Sequence, residues 1–298
     1  MNGVPYPLLS PGLAALPADM LRRMILGREI SVPELVADAL AAIGRLDGRL
    51  NAFIATCPER AMAEARTAQA RLMAGAAAPP LCGLPLAVKD AEPVAGLPYT
   101  CGSLVYRDRV ADADSVHVAR LRAAGAIVVG KTNTPEFTLL GETRNRLGPD
   151  TCNPWNTALT AGGSSGGSAA ALAAGMVPLA TGSDTAGSIT VPAAFCGILG
   201  LKPGHRRIPL WPGPGDWAPY SDVGPMARTA TGLAMMFAAA AGPDPRDPLS
   251  LFPVASRPET GSLRISWGRT VAGLPVETDC AAAAEGAAAL FAAAGHRV

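Results

Sequence analysis

Two glycine-rich segments of the chain each present a serine in a setting suited to nucleophilic chemistry. Residues 162–167 read Gly-Gly-Ser-Ser-Gly-Gly and contain Ser164, and residues 185–188 read Thr-Ala-Gly-Ser and end on Ser188. A serine hydroxyl attacks a carbonyl carbon only when a neighbouring base takes its proton. Small residues let the backbone approach a substrate closely and offer N–H groups to a developing oxyanion. The pattern therefore favours acyl transfer through a covalent serine intermediate.

A lysine is a better candidate for the base than any of the three histidines. His117 lies inside a predicted helix, His205 follows a Lys-Pro-Gly turn and His296 is near the end of the sequence. Lys89 follows the apolar run 84–88, which predicts a buried strand. Because burial lowers the pKa of a lysine, Lys89 could be neutral and accept a proton. On the residues alone, an ordinary lysine whose ammonium reaches water at a strand end is the alternative.

Taken together, these segments resemble the amidase signature family, whose members hydrolyse carboxamides with a Ser–Ser–Lys triad. The two serines stand 24 positions apart within 161–203, and the lysine stands in Gly-Leu-Pro-Leu-Ala-Val-Lys-Asp at 83–90. Further segments that match the family are 130–137, 152–156 and 223–228. At motif level the resemblance extends from 34 to 228, which is most of the sequence.

The resemblance implies a role for each residue of the triad. Ser188 would be the nucleophile, Ser164 would follow a cis peptide bond and relay the proton, and Lys89 would be the base. The resemblance further implies an amidase that acts on linear carboxamides and needs neither a metal nor an organic cofactor. The oxyanion would lie on backbone N–H groups of Thr185, Ala186 and Gly187.

Two positions depart from the pattern of the family. Ala186 stands where the family usually has a second glycine, and an alanine would be strained there if the position needs a positive φ. Thr190 stands where the family commonly has an arginine two residues after the nucleophile. Asp184 is therefore expected to lack its usual cationic neighbour.

Helical and strand patterns alternate along the chain. The fold class they predict is α/β, with a mixed twisted β-sheet sandwiched between α-helices and with helices at the N-terminal end. Ser31 and Glu34 have the spacing of a capping box, and Pro58 suits the first turn of the next helix. The predicted helices after the capping box are 58–73, 114–124, 168–174, 229–241 and 281–294, and the predicted strands are 84–88, 126–129, 177–180 and 263–267.

The motifs predict a single amidase signature domain over 1–298. Its parts would be an N-terminal helical region at 1–75, a signature core at 80–230 and the start of a C-terminal region at 231–298. The last residues repeat the helix–glycine–strand pattern of 121–129, since a helix and Gly295 precede 296–298. Because members of the family continue beyond this point, we expect the C-terminal region to be incomplete.

Composition gives no reason to expect nucleic acid or a membrane as a partner. The net charge is +1, from 25 basic and 24 acidic residues. No apolar run reaches the roughly 18 residues of a membrane span. The six cysteines are scattered without a Cys-x-x-Cys pair, which argues against a disulfide framework and against a zinc site. We therefore expect a cytoplasmic protein with a small-molecule amide as its substrate, and self-association into a homo-oligomer is left open.

Two short motifs suggest other functions, but their surroundings disfavour both. Residues 125–132 satisfy the phosphate-loop pattern, yet a helix precedes them and their interior is a predicted strand. Residues 162–166 satisfy Gly-x-Ser-x-Gly, but a poor strand precedes them and His296 is the only late histidine for an α/β-hydrolase-type esterase. A further alternative is an inactive or partner-dependent fragment, such as a glutaminase-like subunit of an amidotransferase.

Overall fold

The computed structural model describes residues 9–212, 220–251, 261–268, 270 and 273–298. The chain divides into two compact units, Met1–Phe252 and Pro253–Val298. Every residue of the predicted triad lies in the first unit. The predicted regions 1–75 and 231–298 each include residues outside the described part, and their boundaries stay predictions, as does the single domain over 1–298.

The first unit alternates helices with strands. Its helices are α1 Ala18–Leu26, α2 Val32–Leu50, α3 Pro58–Met73, α4 Val116–Ala123, α5 Gly166–Ala173, α6 Thr190–Cys196 and α7 Ala230–Ala240. Its strands are β1 Phe53–Thr56, β2 Pro85–Lys89, β3 Ile127–Thr132, β4 Cys152–Asn153, β5 Asn156–Thr160, β6 Leu179–Asp184, β7 Leu199–Gly200 and β8 Asp222–Ala227. Short 3-10 helices cover Leu13–Ala15, Leu104–Tyr106, Glu136–Thr138 and Pro248–Leu251.

Six strands form one mixed sheet in the order β1-β3-β2-β6-β8-β7. β3 and β6 are the parallel neighbours of β2, whereas β1, β8 and β7 join in antiparallel pairs. Helices flank the sheet, which confirms the predicted α/β class. Because β2 and β6 run parallel, Lys89 and Asp184, their last residues, lie at the same edge of the sheet. This edge is where ligands bind in sheets of this kind.

The start of α2 shows how local sequence fixes one of these helices. Ser31 Oγ accepts from the Glu34 N–H at 3.2 Å, and the Glu34 carboxylate accepts from the Ser31 N–H at 3.3 Å. The predicted capping box is therefore confirmed. α3 begins at Pro58 and ends at Met73, as predicted.

A half-buried arginine joins the first 3-10 helix to the sheet of the first unit. The Arg228 guanidinium donates four hydrogen bonds of 2.7–3.1 Å to backbone carbonyl oxygens. The acceptors are Leu172 near the end of α5, Val177 shortly before β6, Ala14 in the first 3-10 helix and Leu16 just after it. Burial lowers the pKa of Arg228 to about 10. These bonds satisfy a cation that is removed from water.

The second unit contains α8, Thr278–Ala293, close to the predicted helix 281–294. The predicted strand 263–267 is wrong as an element, since only Arg264 pairs, in an isolated parallel bridge with Arg297. The bridge consists of two hydrogen bonds, from the Ile265 N–H to Arg297 O and from the Arg297 N–H to Leu263 O. One pair of short segments makes too few ladder bonds to form a regular strand.

Candidate active site

Lys89 is held at the end of a strand that is buried on both faces. All five residues of β2 are buried, and the Lys89 side chain is 0 % exposed. Its backbone N–H donates to Thr181 Oγ1 at 3.1 Å, which fixes the end of β2 against β6. The alternative in which the Lys89 ammonium reaches water at a strand end is therefore excluded.

Three serine hydroxyls surround the Lys89 amine. Nζ lies 2.7 Å from Ser164 Oγ and 2.9 Å from Ser165 Oγ. On the other strand, Ser183 contributes its Oγ at 2.9 Å and its carbonyl oxygen at 3.4 Å. A neutral amine can donate to some of these oxygens and accept a proton from another.

The surroundings of Lys89 favour this neutral form. Burial lowers the pKa of Lys89 to about 7, while the charges of Glu92, Asp184 and Cys101 act in the opposite direction. The amine also lies at the N-terminus of α5, whose N-cap is Ser165. The positive end of the helix dipole disfavours an ammonium there. Near neutral pH the amine is thus available as a base.

The loop that carries Ser164 is firmly fixed. A cis peptide bond joins Gly163 to Ser164, as the family resemblance implies. Thr134 Oγ1 donates to Ser164 O at 3.0 Å, and Thr143 Oγ1 donates to Gly162 O at 2.8 Å. A flexible glycine–serine linker would make no such bonds, so the segment is a structured loop.

Ser188 lies beside this loop, but its hydroxyl makes no hydrogen bond to the Ser164 hydroxyl. The Ser165 N–H donates to Ser188 O at 3.1 Å, which brings the two loops together through the backbone. Among the described residues, Ser188 Oγ has no hydrogen-bond partner within 3.5 Å. The structure therefore brings Lys89 and Ser164 into contact and places the half-buried Ser188 next to them.

The backbone N–H groups before Ser188 are not equivalent. The Gly187 N–H donates to Asp184 Oδ1 at 2.7 Å, so this predicted oxyanion donor is already used within the loop. Within the described residues, the N–H groups of Thr185 and Ala186 have no acceptor. Ala186 is not among the residues with positive φ, whereas Gly187 has a φ of +107°. Ala186 therefore does not carry the strain that an alanine would have at a positive φ.

Asp184 organises the loop without an arginine. Its carboxylate accepts from the N–H groups of Gly187 at 2.7 Å, Ile189 at 2.8 Å and Thr190 at 3.3 Å. Hydrogen bonds from three N–H groups stabilise this carboxylate, which pairs with no arginine of the described ranges. Thr190 therefore supplies a backbone donor at the position where the family commonly has a cation.

Comparison with known proteins identifies the family. A family model described as Amidase matches residues 34–298. The chain belongs to the amidase family. It is 47% identical over 235 residues to a subunit of the glutamyl-tRNA(Gln) amidotransferase of Methylococcus capsulatus, covering 79% of this chain and 47% of that protein. The chain thus spans about half the length of the curated relatives it matches.

Solved amidase structures share the fold. A bacterial aryl acylamidase of the amidase signature family superposes with a TM-score of 0.86 at 30% identity, over 97% of this chain and 61% of that chain. A 6-aminohexanoate cyclic dimer hydrolase in complex with substrate superposes with a TM-score of 0.84 at 34% identity, over 96% of this chain and 60% of that chain. Both likenesses extend over nearly all of this chain.

The phosphate-loop pattern at 125–132 has a structural role in this member of the family. Most of its residues form β3, and the Lys131 side chain is fully buried. Lys131 Nζ donates to the carbonyl oxygens of Glu92 at 2.5 Å and Pro98 at 3.1 Å, and it lies 3.3 Å from Asp90 Oδ1. The segment therefore forms no loop that could surround a phosphate.

Each of the three histidines has a polar partner outside the two serine loops. His117 Nδ1 lies 2.8 Å from Glu92 Oε2, and His205 Nδ1 lies 3.2 Å from Asp222 Oδ1. His296 belongs to the second unit and accepts from a backbone N–H there. The strand β5 before the Gly-x-Ser-x-Gly motif is exposed and antiparallel to β4, unlike the buried strand of a nucleophile elbow.

Two residues of the site were missed by the sequence analysis. Ser165 and Ser183 both donate or accept at the Lys89 amine, at 2.9 Å each. Ser165 had a signal, since it stands beside Ser164 in the same glycine loop. Ser183 had none, because only the pairing of β2 with β6 brings it near Lys89.

Two further features are absent from the described ranges. No group of three or more His, Cys, Asp or Glu side chains there is arranged to hold a metal ion. None of the helices in the same ranges has the length and apolar character needed to cross a membrane.

Proposed function

We propose that the protein hydrolyses the carbon–nitrogen bond of small linear carboxamides through an acyl-enzyme on Ser188. The observation that carries the proposal is the 2.7 Å contact between Lys89 Nζ and Ser164 Oγ, made by a lysine that is fully buried. Membership of the amidase family supports the reaction class. On the composition considered above, the reaction would take place in the cytoplasm.

The proton would move along the two serines to the lysine. Ser188 Oγ attacks the carbonyl carbon while Ser164 takes its proton and passes its own proton to neutral Lys89. This transfer requires Ser188 Oγ to turn towards Ser164, which the shared bond between their loops allows. The proton then returns by the same route to the leaving amine or ammonia, and water hydrolyses the ester of Ser188.

The oxyanion would lie on the free N–H groups of the second serine loop. Thr185 and Ala186 supply such donors, and backbone donors aimed at a developing oxyanion typically contribute about 3–4 kcal/mol each. The third predicted donor, Gly187, would join them only if its N–H left Asp184. We therefore assign Gly187 mainly to the shape of the turn.

The proposal is tested by covalent labelling with a fluorophosphonate, followed by peptide mapping. An activated serine forms one stable adduct, and we expect it on Ser188. Lys89→Met retains an unbranched side chain that is only one atom shorter but removes the base, so its labelling rate should fall by at least about 100-fold. Ser188→Ala should take up no label.

The outcomes separate the proposal from its rivals. A folded chain that takes up no label would indicate an inactive fragment, which is the alternative drawn from the sequence. Labelling of Ser188 at the wild-type rate in Lys89→Met would exclude Lys89 as the base. Hydrolysis of a cyclic amide in preference to its linear counterpart would overturn the linear substrate class.

A second candidate function follows from one comparison. The relative that is 47% identical is named as one component of an amidotransferase, so glutamine is a candidate amide for this chain. Ammonia release from glutamine would be compared with release from a simple alkyl amide at equal concentration. Faster release from glutamine would favour a glutaminase-like, partner-dependent role, and slower release would favour the simple amidase.

A further inference from the structure

Glu92, three residues after Lys89, forms a buried acid–histidine pair with His117 that takes no part in the mechanism above. Glu92 is 2 % exposed and His117 is 1 % exposed, and His117 Nδ1 lies 2.8 Å from Glu92 Oε2. Their second polar atoms, Glu92 Oε1 and His117 Nε2, have no hydrogen-bond partner among the described residues. A carboxylate and an imidazole that are removed from water with so few partners are costly to the fold.

The pair is attached to Lys89 through the backbone. The Glu92 N–H donates to Lys89 O at 2.9 Å, which forms a turn directly after β2. The Glu92 carbonyl oxygen in turn accepts from Lys131 Nζ at 2.5 Å. The turn therefore fixes the backbone of Glu92 relative to that of Lys89, and His117 Nδ1 holds the Glu92 carboxylate.

Other charged groups near Lys89 have partners of their own. Asp90 Oδ2 accepts from Thr100, and Asp90 Oδ1, which has no hydrogen-bond partner among the described residues, is compensated by Lys131 Nζ at 3.3 Å. The Asp184 carboxylate accepts three backbone N–H groups. The titratable groups around Lys89 are Asp90 and Glu92 after β2, Cys101 in the following loop, His117 in α4, Lys131 in β3 and Asp184 at the end of β6.

Glu92 differs from these carboxylates because its side chain is paired, within the described residues, only with a histidine. We infer that Glu92, held in place by His117, is a positioning residue that sets how readily Lys89 binds a proton, and so the pH at which Ser188 becomes reactive. The inference rests on the function proposed above. In its support, Glu92 is the first of the charges that raise the pKa of Lys89 against the lowering by burial.

The inference predicts a direction of change. Glu92→Gln removes a negative charge that favours the ammonium of Lys89 and keeps nearly the same shape. The proton should therefore leave Lys89 at a lower pH, with the midpoint falling on the order of one pH unit. Glu29→Gln, which removes an equal charge from an exposed position, should leave the midpoint unchanged.

The chain is well suited to a direct measurement, because it contains only three lysines, Lys89, Lys131 and Lys202. With ¹³C at the lysine ε-carbon, each amine gives its own NMR signal, and Lys89→Met identifies the signal of Lys89. The titration midpoint of that signal is compared in the wild type, Glu92→Gln and Glu29→Gln. Equal midpoints in all three proteins would overturn the inference.

Two further variants distinguish an electrostatic role of Glu92 and His117 from a purely structural one. Glu92→Asp restores the charge and should bring the midpoint back towards the wild type. His117→Gln retains the carboxylate, so the midpoint should stay at or above the wild-type value. A fall in His117→Gln as large as that in Glu92→Gln would show that loss of packing moves Lys89, and would contradict the inference.

Failure of the inference and failure of the proposed function give different results. The NMR midpoint reports Lys89 without any turnover, whereas the fluorophosphonate reports Ser188. A shifted midpoint with no Ser188 adduct would support the electrostatic role and reject the proposed function. Labelling of Ser188 that depends on Lys89, together with an unchanged Lys89 midpoint in Glu92→Gln, would support the proposed function and reject the electrostatic role of Glu92. If Glu92→Gln does not fold, Glu92→Met removes the same charge from the same position and should lower the midpoint in the same direction. An unchanged midpoint in Glu92→Met would then overturn the inference.

Discussion

The backbone N–H of Ser165 donates to the carbonyl oxygen of Ser188 at 3.1 Å, and this bond joins the two serine loops directly. The first loop opens α5, and the second opens α6, so each is fixed to a helix that packs in the core. A displacement of either loop therefore alters the position of Ser188 relative to Lys89. Substitutions that touch only backbone packing should consequently reduce reactivity.

Gly163→Ala tests this packing. A Cβ at Gly163 would lie 2.8 Å from backbone atoms of Leu140 and Glu142, which cannot move as a flexible side chain could. We expect Ser188 labelling to slow at least 10-fold and the free energy of unfolding to fall by about 1–3 kcal/mol. Gly44→Ala in α2 meets nothing within 4 Å and should be neutral or stabilising. Equal labelling rates and equal free energies of unfolding in Gly163→Ala and Gly44→Ala would contradict the prediction.

The pH dependence of labelling should follow the charge on Lys89. Since its pKa is lowered to about 7, the reactive neutral amine forms as the pH rises through that value. The rate of adduct formation on Ser188 should therefore rise with pH and level off above about 8. Stopped-time labelling across this range gives the midpoint. A rate that falls over the same range would exclude a neutral lysine as the base.

Lys89 should also leave a signature in stability. The pKa of Lys89 is about 7 in the folded chain and 10.5 in the unfolded one, so between these values the unfolded chain binds more protons. Stability due to this group therefore rises with pH across that window, by at most about 1.4 kcal/mol per pH unit. Lys89→Met lacks this dependence. Urea unfolding of both proteins at about pH 7 and at a higher pH measures the difference, and a constant difference would refute the prediction.

The three hydroxyls around Lys89 should contribute unequally. Ser164→Ala removes the relay and should lower the labelling rate of Ser188 by at least about 100-fold. Ser183→Ala leaves the amine its contacts with Ser164 and Ser165, at 2.7 and 2.9 Å, and should cost less than about 10-fold. The time course of adduct formation on Ser188 gives the rate constants that are compared between the two variants. If Ser164→Ala and Ser183→Ala slow the labelling of Ser188 equally, Ser164 acts only by holding the Lys89 amine in place and not by relaying a proton.

Asp184→Asn tests the loop before the nucleophile. The carboxylate accepts three backbone N–H groups, and an amide replaces one of its oxygens by a donor. We expect a loss of about 1–3 kcal/mol in the free energy of unfolding and slower labelling of Ser188. The matched control is Asp108→Asn, whose side chain is 93% exposed. A stable and fully reactive Asp184→Asn would show that the loop does not depend on this carboxylate.

Local sequence predicted the parts of the fold that local interactions determine. The capping box at Ser31 and Glu34, the start of α3 at Pro58 and the strand that ends at Lys89 all follow from neighbouring residues. The fold class followed from the alternation of such elements. The family resemblance supplied the expected pairing of Lys89 with Ser164, which the composition and spacing alone left open.

Other features depend on partners that are distant in sequence. β8 was not predicted as a strand, because Gly224 and Pro225 have low strand propensity, yet the strand is fully buried between β6 and β7. The contact of Ser183 with Lys89 likewise arises from strand pairing. The bond from the Gly187 N–H to Asp184 was within reach of the sequence, since an aspartate often accepts from a backbone N–H a few residues later.

The four carbonyl bonds of Arg228 have a consequence for synthesis on the ribosome. The bond to Ala14 O joins residues 214 positions apart in sequence. At a typical rate of about 5–20 residues per second, Ala14 waits on the order of 10–40 s before Arg228 has even been made. Throughout that interval the start of the chain cannot complete its native contacts, and it is then most in need of a chaperone.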